Sequence, residues 1–203
     1  MTAPAEQIAR PQWIIREDWT RRRVRALGAQ ITDDLGGLEV TVVPVLTGAF
    51  IFGADLMRCL DIMDVRVQWA RAASYDAEMR GDLKVDLSHV DPAHIAGRHV
   101  LLVDDILDTG NTMHELVLRI SAMSPASVRI AVLLRKRARH DPDIDVEPHY
   151  VGFEIPDLFV VGYGLDVNGL HRHWSYIGVL DSDLTPERHA EVVADIERQL
   201  GAR

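Results

Sequence analysis

The sequence predicts an α/β fold with a mainly parallel central sheet flanked by helices. Short apolar runs alternate with helix-like segments over residues 40–134, which is the order that produces parallel strands. The apolar run at residues 100–103 is branched and uninterrupted, as expected of a strand buried on both faces. The chain has 203 residues, which is enough for one such domain and too short for two full ones. We therefore expect a single domain over residues 1–203.

The first part of the chain predicts two helices and two strands. Residues 17–35 carry apolar side chains at spacings of three and four, and the glycine pair at 36–37 ends this helix. Residues 40–46 form an apolar strand, which a turn connects to a helix at residues 49–60. Residues 64–72 alternate apolar and polar side chains, which predicts another strand.

The second part of the chain predicts the rest of the sheet and a small appendage. The buried run at 100–103 leads into a helix that extends to about residue 123, and a strand at 128–134 follows. Beyond residue 135 the chain is poor in helices, and short strands are predicted at residues 150–153, 159–161 and 176–180. The last helix begins at Pro186, with Thr185 as its cap.

The overall charge excludes some classes of partner. The chain carries 22 Lys and Arg against 31 Asp and Glu, a formal net charge of −9. Such an acidic protein is a poor nonspecific binder of nucleic acids or membrane surfaces, and the short basic runs at 21–23 and 135–137 are typical of solvated faces. Neither a signal peptide nor a run of 18 apolar residues is apparent, so we expect a cytoplasmic protein.

Residues 100–112 carry the clearest functional signal. The apolar strand is followed by Asp104 and Asp105, and ligands of open α/β sheets bind beyond the carboxyl ends of such strands. Residues 108–112 offer backbone N–H groups, hydroxyls and a helix N-terminus, which suit a phosphate. The two carboxylates would repel that phosphate, so they are better matched to sugar hydroxyls or a divalent cation. This order of features favours a ribose phosphate site over an ordinary solvated turn.

Residues 100–112 resemble the phosphoribosyl pyrophosphate (PRPP) signature of the type I phosphoribosyltransferases. A second string, YVGFEIPDLFVVGYGLD at residues 150–166, resembles the purine-site region of the hypoxanthine-guanine phosphoribosyltransferases. The similarity extends over about residues 40–180. It implies a type I phosphoribosyltransferase-like fold, with a core of about residues 36–135 plus 175–203. A small hood over the purine would come from about residues 136–174 and part of the N-terminal segment.

The resemblance implies a Mg²⁺-dependent purine salvage enzyme. Such an enzyme transfers the 5-phosphoribosyl group from PRPP to a 6-oxopurine base, here hypoxanthine and also guanine, and gives IMP or GMP with pyrophosphate. Xanthine is a further candidate base, because the sequence does not place the backbone carbonyls that distinguish these purines. Relatives are commonly dimers or tetramers, so the resemblance also implies a homodimer or homotetramer. The alternative is a regulatory protein on the same fold that senses PRPP or a nucleotide. Such a regulator could lose the catalytic residues, whereas this chain keeps them, which favours the enzyme.

The resemblance also gives expected roles to the residues of the PRPP signature. Asp104 and Asp105 match the acidic pair that holds the ribose hydroxyls, directly or through Mg²⁺. Asp108 matches the residue beside the purine N7, where a carboxylate accepts or shares a proton. A helix cap is the competing interpretation of Asp108. The expected cradle for the 5′-phosphate consists of Thr109, Gly110, Asn111 and Thr112.

Two further loops have counterparts in the family. Thr47 and Gly48 match the pyrophosphate loop, in which the Leu46–Thr47 peptide would be cis. Relatives often carry Lys or Arg in place of Thr47, so either backbone amides suffice here or Arg172 and a metal supply the positive charge. Ser74 and Tyr75 begin a polar stretch that looks like the catalytic lid, although a surface loop has the same composition.

The remaining expected site residues belong to the purine and the metal. Lys136 matches the lysine that donates to the purine O6, which selects for a 6-oxo group. Phe159 would stack on the base, although an aromatic residue in an apolar strand usually belongs to the core. Val160 would offer its backbone to the purine edge. Asp166 matches a Mg²⁺ ligand, and Arg172 matches the arginine that binds pyrophosphate.

Overall fold

A computed structural model describes residues 12–73, 84–139, 141, 143–144, 146–180 and 184–201. In these ranges the strands are β1 (Gln12–Ile15), β2 (Val40–Leu46), β3 (Val65–Val67), β4 (Ala70–Ala73), β5 (Lys84–Asp86), β6 (His99–Leu107), β7 (Ser127–Arg135), β8 (Tyr150–Glu154), β9 (Val160–Val161) and β10 (Ile177–Val179). The helices are α1 (Glu17–Leu35), α2 (Phe50–Met57), α3 (Asn111–Ser121) and α4 (Pro186–Gly201). None of these helices is long and apolar enough to cross a membrane.

The predicted α/β fold is confirmed. The large sheet has the strand order β5-β4-β2-β6-β7-β8, and β3 also pairs with β2. Every pairing in this sheet is parallel except the one between β4 and β5. Parallel strands need crossovers, and α2 lies in the crossover from β2 to β3 while α3 lies in the crossover from β6 to β7.

The central strands are buried on both faces, as the unbroken apolar runs predict. Along β6, Leu101 and Val103 face the apolar cluster that contains α1, α2 and α4. Val100 and Leu102 face a second cluster, which contains α3. Side chains alternate across a strand, so a run with no polar residue can fill two cores at once.

A small antiparallel sheet has the order β1-β10-β9. It brings the N-terminal segment together with residues beyond 159, as the family resemblance implies for the hood. Tyr150–Glu154, however, joins the large sheet, because β8 continues the parallel pairing from β7. Ile177–Val179 pairs with β1 and β9 instead of joining the large sheet. The division of the chain into core and hood stays a prediction.

Several element boundaries differ from the sequence-based prediction. The strand predicted at 64–72 is two strands, because β3 pairs with the start of β2 and β4 with its end. The helix predicted at 49–60 ends at Met57, where the N–H groups of Cys59 and Leu60 bond three residues back and tighten the last turn. The predicted cap of α4 is present, since Thr185 Oγ1 accepts a hydrogen bond from the Arg188 N–H at 3.3 Å.

Candidate active site

The acidic pair, Asp104 and Asp105, lies inside the last half of β6. This strand continues to Leu107, four residues past the apolar run, because Asp104, Ile106 and Leu107 pair with Val132, Leu134 and Arg135 of β7. The prediction that the carboxylates follow the end of the strand was therefore wrong by a few residues. They still lie near the carboxyl end of the central strand, where ligands bind in open α/β sheets.

Burial raises the pKa values of the acidic pair. Asp104 is buried, and this burial raises its pKa well above the ordinary range, with the charge of Asp105 adding to the effect. Burial also raises the pKa of Asp105, although the positive charge of Arg172 opposes that rise. Asp105 is half-buried, and two adjacent carboxylates in such surroundings are stabilised by hydroxyl donors or by a cation. The pair can thus hold sugar hydroxyls, a metal ion or both.

Residues 108–112, which we call the phosphate turn, connect β6 to α3. Gly110 occupies the N-cap position of α3 with φ of 94°, a left-handed conformation that glycine adopts readily. The Asn111 side chain donates to Thr109 Oγ1 at 3.0 Å and holds the turn closed. The first N–H groups of a helix have no partner within the helix, so this turn can present them to an anion. Thr112 lies in this first turn of α3.

Asp108 does not cap α3. The cap position belongs to Gly110, so the helix-cap interpretation of Asp108 is wrong. The Asp108 carboxylate instead accepts a hydrogen bond from Arg139 Nε at 3.1 Å and lies 3.5 Å from Lys136 Nζ. Asp108 therefore faces the segment after β7, which is where the resemblance expects the purine to bind.

The basic run at 135–137 is not a solvated face. Arg135 and Lys136 are buried, and only Arg137 is exposed, in an ion pair with Glu154. Lys136 Nζ lies between two carboxylates, 3.3 Å from Asp157 and 3.5 Å from Asp108. A buried ammonium with two acidic neighbours is a directed donor.

Phe159 is not a core residue. Its side chain is 55% exposed, whereas its neighbour Val160 is buried in β9. The core interpretation of Phe159 is therefore wrong. An exposed aromatic ring before a short strand is free to stack on a planar ligand.

The loop at residues 45–49 meets the acidic pair at close range. The Leu46–Thr47 peptide is cis, as the resemblance implies, and Thr47 is exposed. A Cβ atom on Gly48 would lie 1.9 Å from Asp105 Oδ2, so any other residue at position 48 would force the Asp105 carboxylate to move. A Cβ on Gly164 would lie 2.2 Å from the carbonyl oxygen of Gly48. Three distant segments therefore touch at Gly48.

Arg172 and Asp166 form an ion pair beside this contact. Arg172 lies 2.6 Å from Asp166 Oδ1 and donates to the Gly164 carbonyl at 2.6 Å. The other oxygen of Asp166 accepts from the Gly169 N–H at 2.7 Å. Arg172 is thus held at Gly164, the residue that lies beside Gly48, and the 45–49 loop has no cationic side chain of its own.

The carboxylates of the site fit a magnesium ion that is bound partly by the protein and partly by substrate oxygens. Among the residues that the structure describes, no three His, Cys, Asp or Glu side chains are grouped to hold a metal. Mg²⁺ commonly binds through one or two carboxylates together with substrate oxygens and water. The acidic pair, with its two adjacent carboxylates of raised pKa, suits that arrangement.

The structure adds residues that the sequence did not single out. Arg139 and Asp157 contact Asp108 and Lys136, and Gly164 contacts Gly48. Asp157 and Gly164 lie within the string at 150–166, but nothing in that string shows which of its residues touch the site. The expected lid residues Ser74 and Tyr75 lie outside the described residues.

Comparison with known proteins shows the family of this chain. The phosphoribosyl transferase domain family matches residues 18–168. The hypoxanthine phosphoribosyltransferase of Haemophilus influenzae is 38% identical over 168 residues, which cover 81% of this chain and 92% of that protein. Its counterpart in Escherichia coli is 37% identical over 167 residues, with the same coverage.

A solved structure shows the same likeness. The hypoxanthine-guanine phosphoribosyltransferase of Bacillus anthracis is similar with a TM-score of 0.76 and 35% identity, over 83% of this chain and 97% of that chain. These matches confirm the resemblance found in the sequence and favour an enzyme over a regulatory protein. The chain belongs to the phosphoribosyltransferase family, in the group of the hypoxanthine phosphoribosyltransferases, which are pentosyltransferases.

Proposed function

We propose that the chain transfers the 5-phosphoribosyl group of PRPP to hypoxanthine in purine salvage and releases IMP and pyrophosphate. The observation that carries this proposal is the placement of Lys136 and Asp108 side by side, 3.5 Å apart, after two neighbouring strands. An ammonium donor beside a carboxylate acceptor is complementary to the O6 and N7–H edge of a 6-oxopurine.

On the PRPP side, the phosphate turn holds the 5′-phosphate with the N–H groups of Gly110, Asn111 and Thr112 and the Thr109 hydroxyl. Asp104 and Asp105 hold the ribose hydroxyls. The amides of Thr47 and Gly48 and the Arg172 guanidinium bind the pyrophosphate. Fixed donors around a leaving group stabilise the charge that develops on it.

On the purine side, Lys136 donates to O6, and Asp108 accepts or shares the N7 proton as positive charge develops on the base. Phe159 stacks on the ring, and Val160 offers backbone groups to its edge. A 6-amino purine would place hydrogens against the Lys136 ammonium, which has no acceptor, so adenine is disfavoured. A lid beginning at Ser74 and Tyr75 would exclude water, which otherwise hydrolyses PRPP.

Asp104 and Asp105 would hold Mg²⁺ together with substrate oxygens and water, and Asp166 would act as a separate Mg²⁺ ligand. The ion supplies charge neutralisation for the pyrophosphate oxygens when it is bound. Asp166 is already paired with Arg172, so the carboxylate must be shared between that guanidinium and the metal.

The test is a panel of hypoxanthine, guanine, xanthine, adenine and uracil with PRPP and Mg²⁺, in which pyrophosphate release is measured. We expect turnover of hypoxanthine and of guanine, and little with adenine or uracil. Turnover of none of the five bases would exclude the proposed function. Omission of Mg²⁺ with added chelator is expected to abolish release, and analytical ultracentrifugation is expected to show a homodimer or homotetramer.

A further inference from the structure

Four charged side chains form a closed ring at the purine side of the site. Asp108 contacts Arg139 Nε through Oδ1 at 3.1 Å and Lys136 Nζ through Oδ2 at 3.5 Å. Asp157 contacts the same Lys136 Nζ through Oδ1 at 3.3 Å and Arg139 Nη1 through Oδ2 at 3.6 Å. Each carboxylate thus uses one oxygen for each cation, and charges alternate around what we call the charge ring.

The residues of the charge ring differ in their exposure to solvent. Lys136 is buried and its side chain is only 9% exposed, whereas the side chains of Asp157 and Arg139 are about half exposed. Both carboxylates raise the pKa of Arg139, with Asp108 as the larger cause. Asp157 and Arg139, which we call the outer pair, therefore lie on the solvent side of the charge ring.

The hydrogen-bonding capacity of Lys136 explains what the outer pair does. An ammonium group has three N–H donors. One of them donates to Asp157 Oδ1 at 3.3 Å, and the ammonium also forms an ion pair with Asp108 Oδ2 at 3.5 Å, so at least one donor is left for a ligand. Asp157 thereby fixes the direction of the remaining donor. Arg139 does the equivalent for Asp108, because it occupies Oδ1 and leaves the lone pairs of Oδ2, on the Lys136 side, for an incoming N–H.

We infer that Asp157 and Arg139 are positioning residues for purine recognition, which hold the Lys136 ammonium and the Asp108 carboxylate toward the O6 and N7–H of a 6-oxopurine. This inference rests on the proposed function and deepens it. Neither residue needs to touch the base. Their contribution is to reduce the number of directions in which the two contacting groups can point.

Loss of either outer residue should damage purine binding selectively. In Asp157→Asn the amide can still accept from Lys136 but carries no charge, and in Arg139→Gln the Asp108 carboxylate loses its fixed partner. We expect the KM for hypoxanthine to rise about tenfold in each variant, while the KM for PRPP stays within about twofold. The preference for hypoxanthine over adenine should fall by about the same factor.

The control is Arg198→Gln, which breaks an exposed Arg198–Asp195 ion pair at 3.0 Å on α4. It removes an arginine–aspartate contact of similar length and should leave both KM values unchanged. Arg139→Lys keeps the charge and should recover part of the hypoxanthine affinity. The double variant Asp157→Asn/Arg139→Gln should lose less than the product of the two single effects, because both residues act through one ring.

Dissociation constants for IMP, measured by titration calorimetry, give a readout that does not depend on turnover. We expect weaker IMP binding in both single variants, with unfolding temperatures close to that of the wild type. Equal rises in the KM for PRPP and for hypoxanthine, or IMP binding that is unchanged in both variants, would overturn the inference. A wild-type protein that turns over no purine would instead exclude the proposed function, so the two failures are distinguishable.

Discussion

At the scale of single residues, the site depends on a close approach at Gly48 and on the charges around Asp108. Gly48 leaves room for the Asp105 carboxylate because it has no Cβ atom, and the Gly164 backbone lies close to the Gly48 carbonyl oxygen. Asp108 has two cationic neighbours and no capping role. In both places the chemistry is set by which atoms of distant segments are brought within a few ångströms.

Gly48→Ala is expected to reduce kcat/KM for PRPP by about 100-fold, because the new Cβ displaces the Asp105 carboxylate by an ångström or more. Steady-state kinetics with varied PRPP measure this. The matched control is Gly201→Ala at the end of α4, where nothing lies within 4 Å of the added Cβ. Unchanged kinetics in Gly48→Ala would show that the contact with Asp105 has no role in PRPP binding.

Asp108→Asn is expected to lower kcat by a factor of about 100 to 10,000, because the amide cannot accept the N7 proton as a carboxylate does. PRPP should still bind, since the phosphate turn is left intact. Single-turnover kinetics and calorimetric titration of PRPP separate the two effects. Asp33→Asn, which changes an exposed carboxylate of α1, serves as control. A kcat equal to that of the wild type would remove Asp108 as the proton acceptor.

At the scale of elements, Arg98 ties the start of β6 to its neighbours. Its guanidinium donates to Thr41 Oγ1 and the Val40 carbonyl at 2.9 Å, and to the Asp64 carboxylate at 2.6 Å. The Arg98 residue is only 5% exposed. These bonds fix the ends of β2, β3 and β6 relative to one another, and so they support the strands that carry the acidic pair.

Arg98→Met is expected to lower the free energy of unfolding by about 3 kcal/mol, because buried acceptors lose a charged donor. Urea denaturation followed by circular dichroism measures the change. Arg198→Met, at an exposed ion pair, should change stability by less than about 0.5 kcal/mol. A similar small effect at Arg98 would mean that the strands hold their register without it.

Asp64 gives the same network a dependence on pH. The hydrogen bond from Arg98 lowers the pKa of Asp64 below its ordinary 3.8 in the folded protein. The ionised carboxylate therefore stabilises the fold fully above its ordinary pKa of 3.8. This contribution is lost as the pH falls through the lower pKa of the folded protein. We expect the stability difference between wild type and Asp64→Asn to shrink below about pH 4. A difference that stays constant from pH 7 to pH 3 would contradict this.

At the scale of the whole molecule, the segment after β9 is anchored to the core through Tyr163. Its hydroxyl donates to Asp55 of α2 at 2.7 Å, and burial raises the pKa of this phenol well above its ordinary 10.0. The neighbouring Gly164 touches the 45–49 loop. Tyr163 therefore helps to hold this segment against α2, next to the contact between Gly164 and the 45–49 loop.

Tyr163→Phe is expected to lower the free energy of unfolding by about 2 kcal/mol at pH 7 and to raise the KM for hypoxanthine. Since the folded-state pKa is raised, the contribution of Tyr163 is fully present below pH 10 and is lost as pH increases beyond it. The wild type should thus lose stability above pH 10 more steeply than the variant. Equal pH dependence of the two proteins, measured by thermal unfolding, would contradict this role.

The sequence predicted the local features well because they depend on neighbouring residues. The helix at Glu17–Leu35, the strand at Val40–Leu46 and the Thr185 cap follow from spacing and from capping chemistry, and the structure confirms them. The strand predicted at 64–72 was wrong as one element, because only pairing with β2 decides where it breaks.

By itself the sequence determined that this chain is an α/β phosphoribosyltransferase with a phosphate turn after a buried strand, since that motif is contiguous over residues 100–112. Only the tertiary structure decided which side chains meet. Arg139 and Asp157 join Asp108 and Lys136, and Gly164 covers Gly48, because the packing of distant strands and loops sets these separations. A pattern along one chain fixes the local backbone, but contacts such as the 3.1 Å between Arg139 and Asp108 and the 3.3 Å between Lys136 and Asp157 exist only once the sheet has assembled.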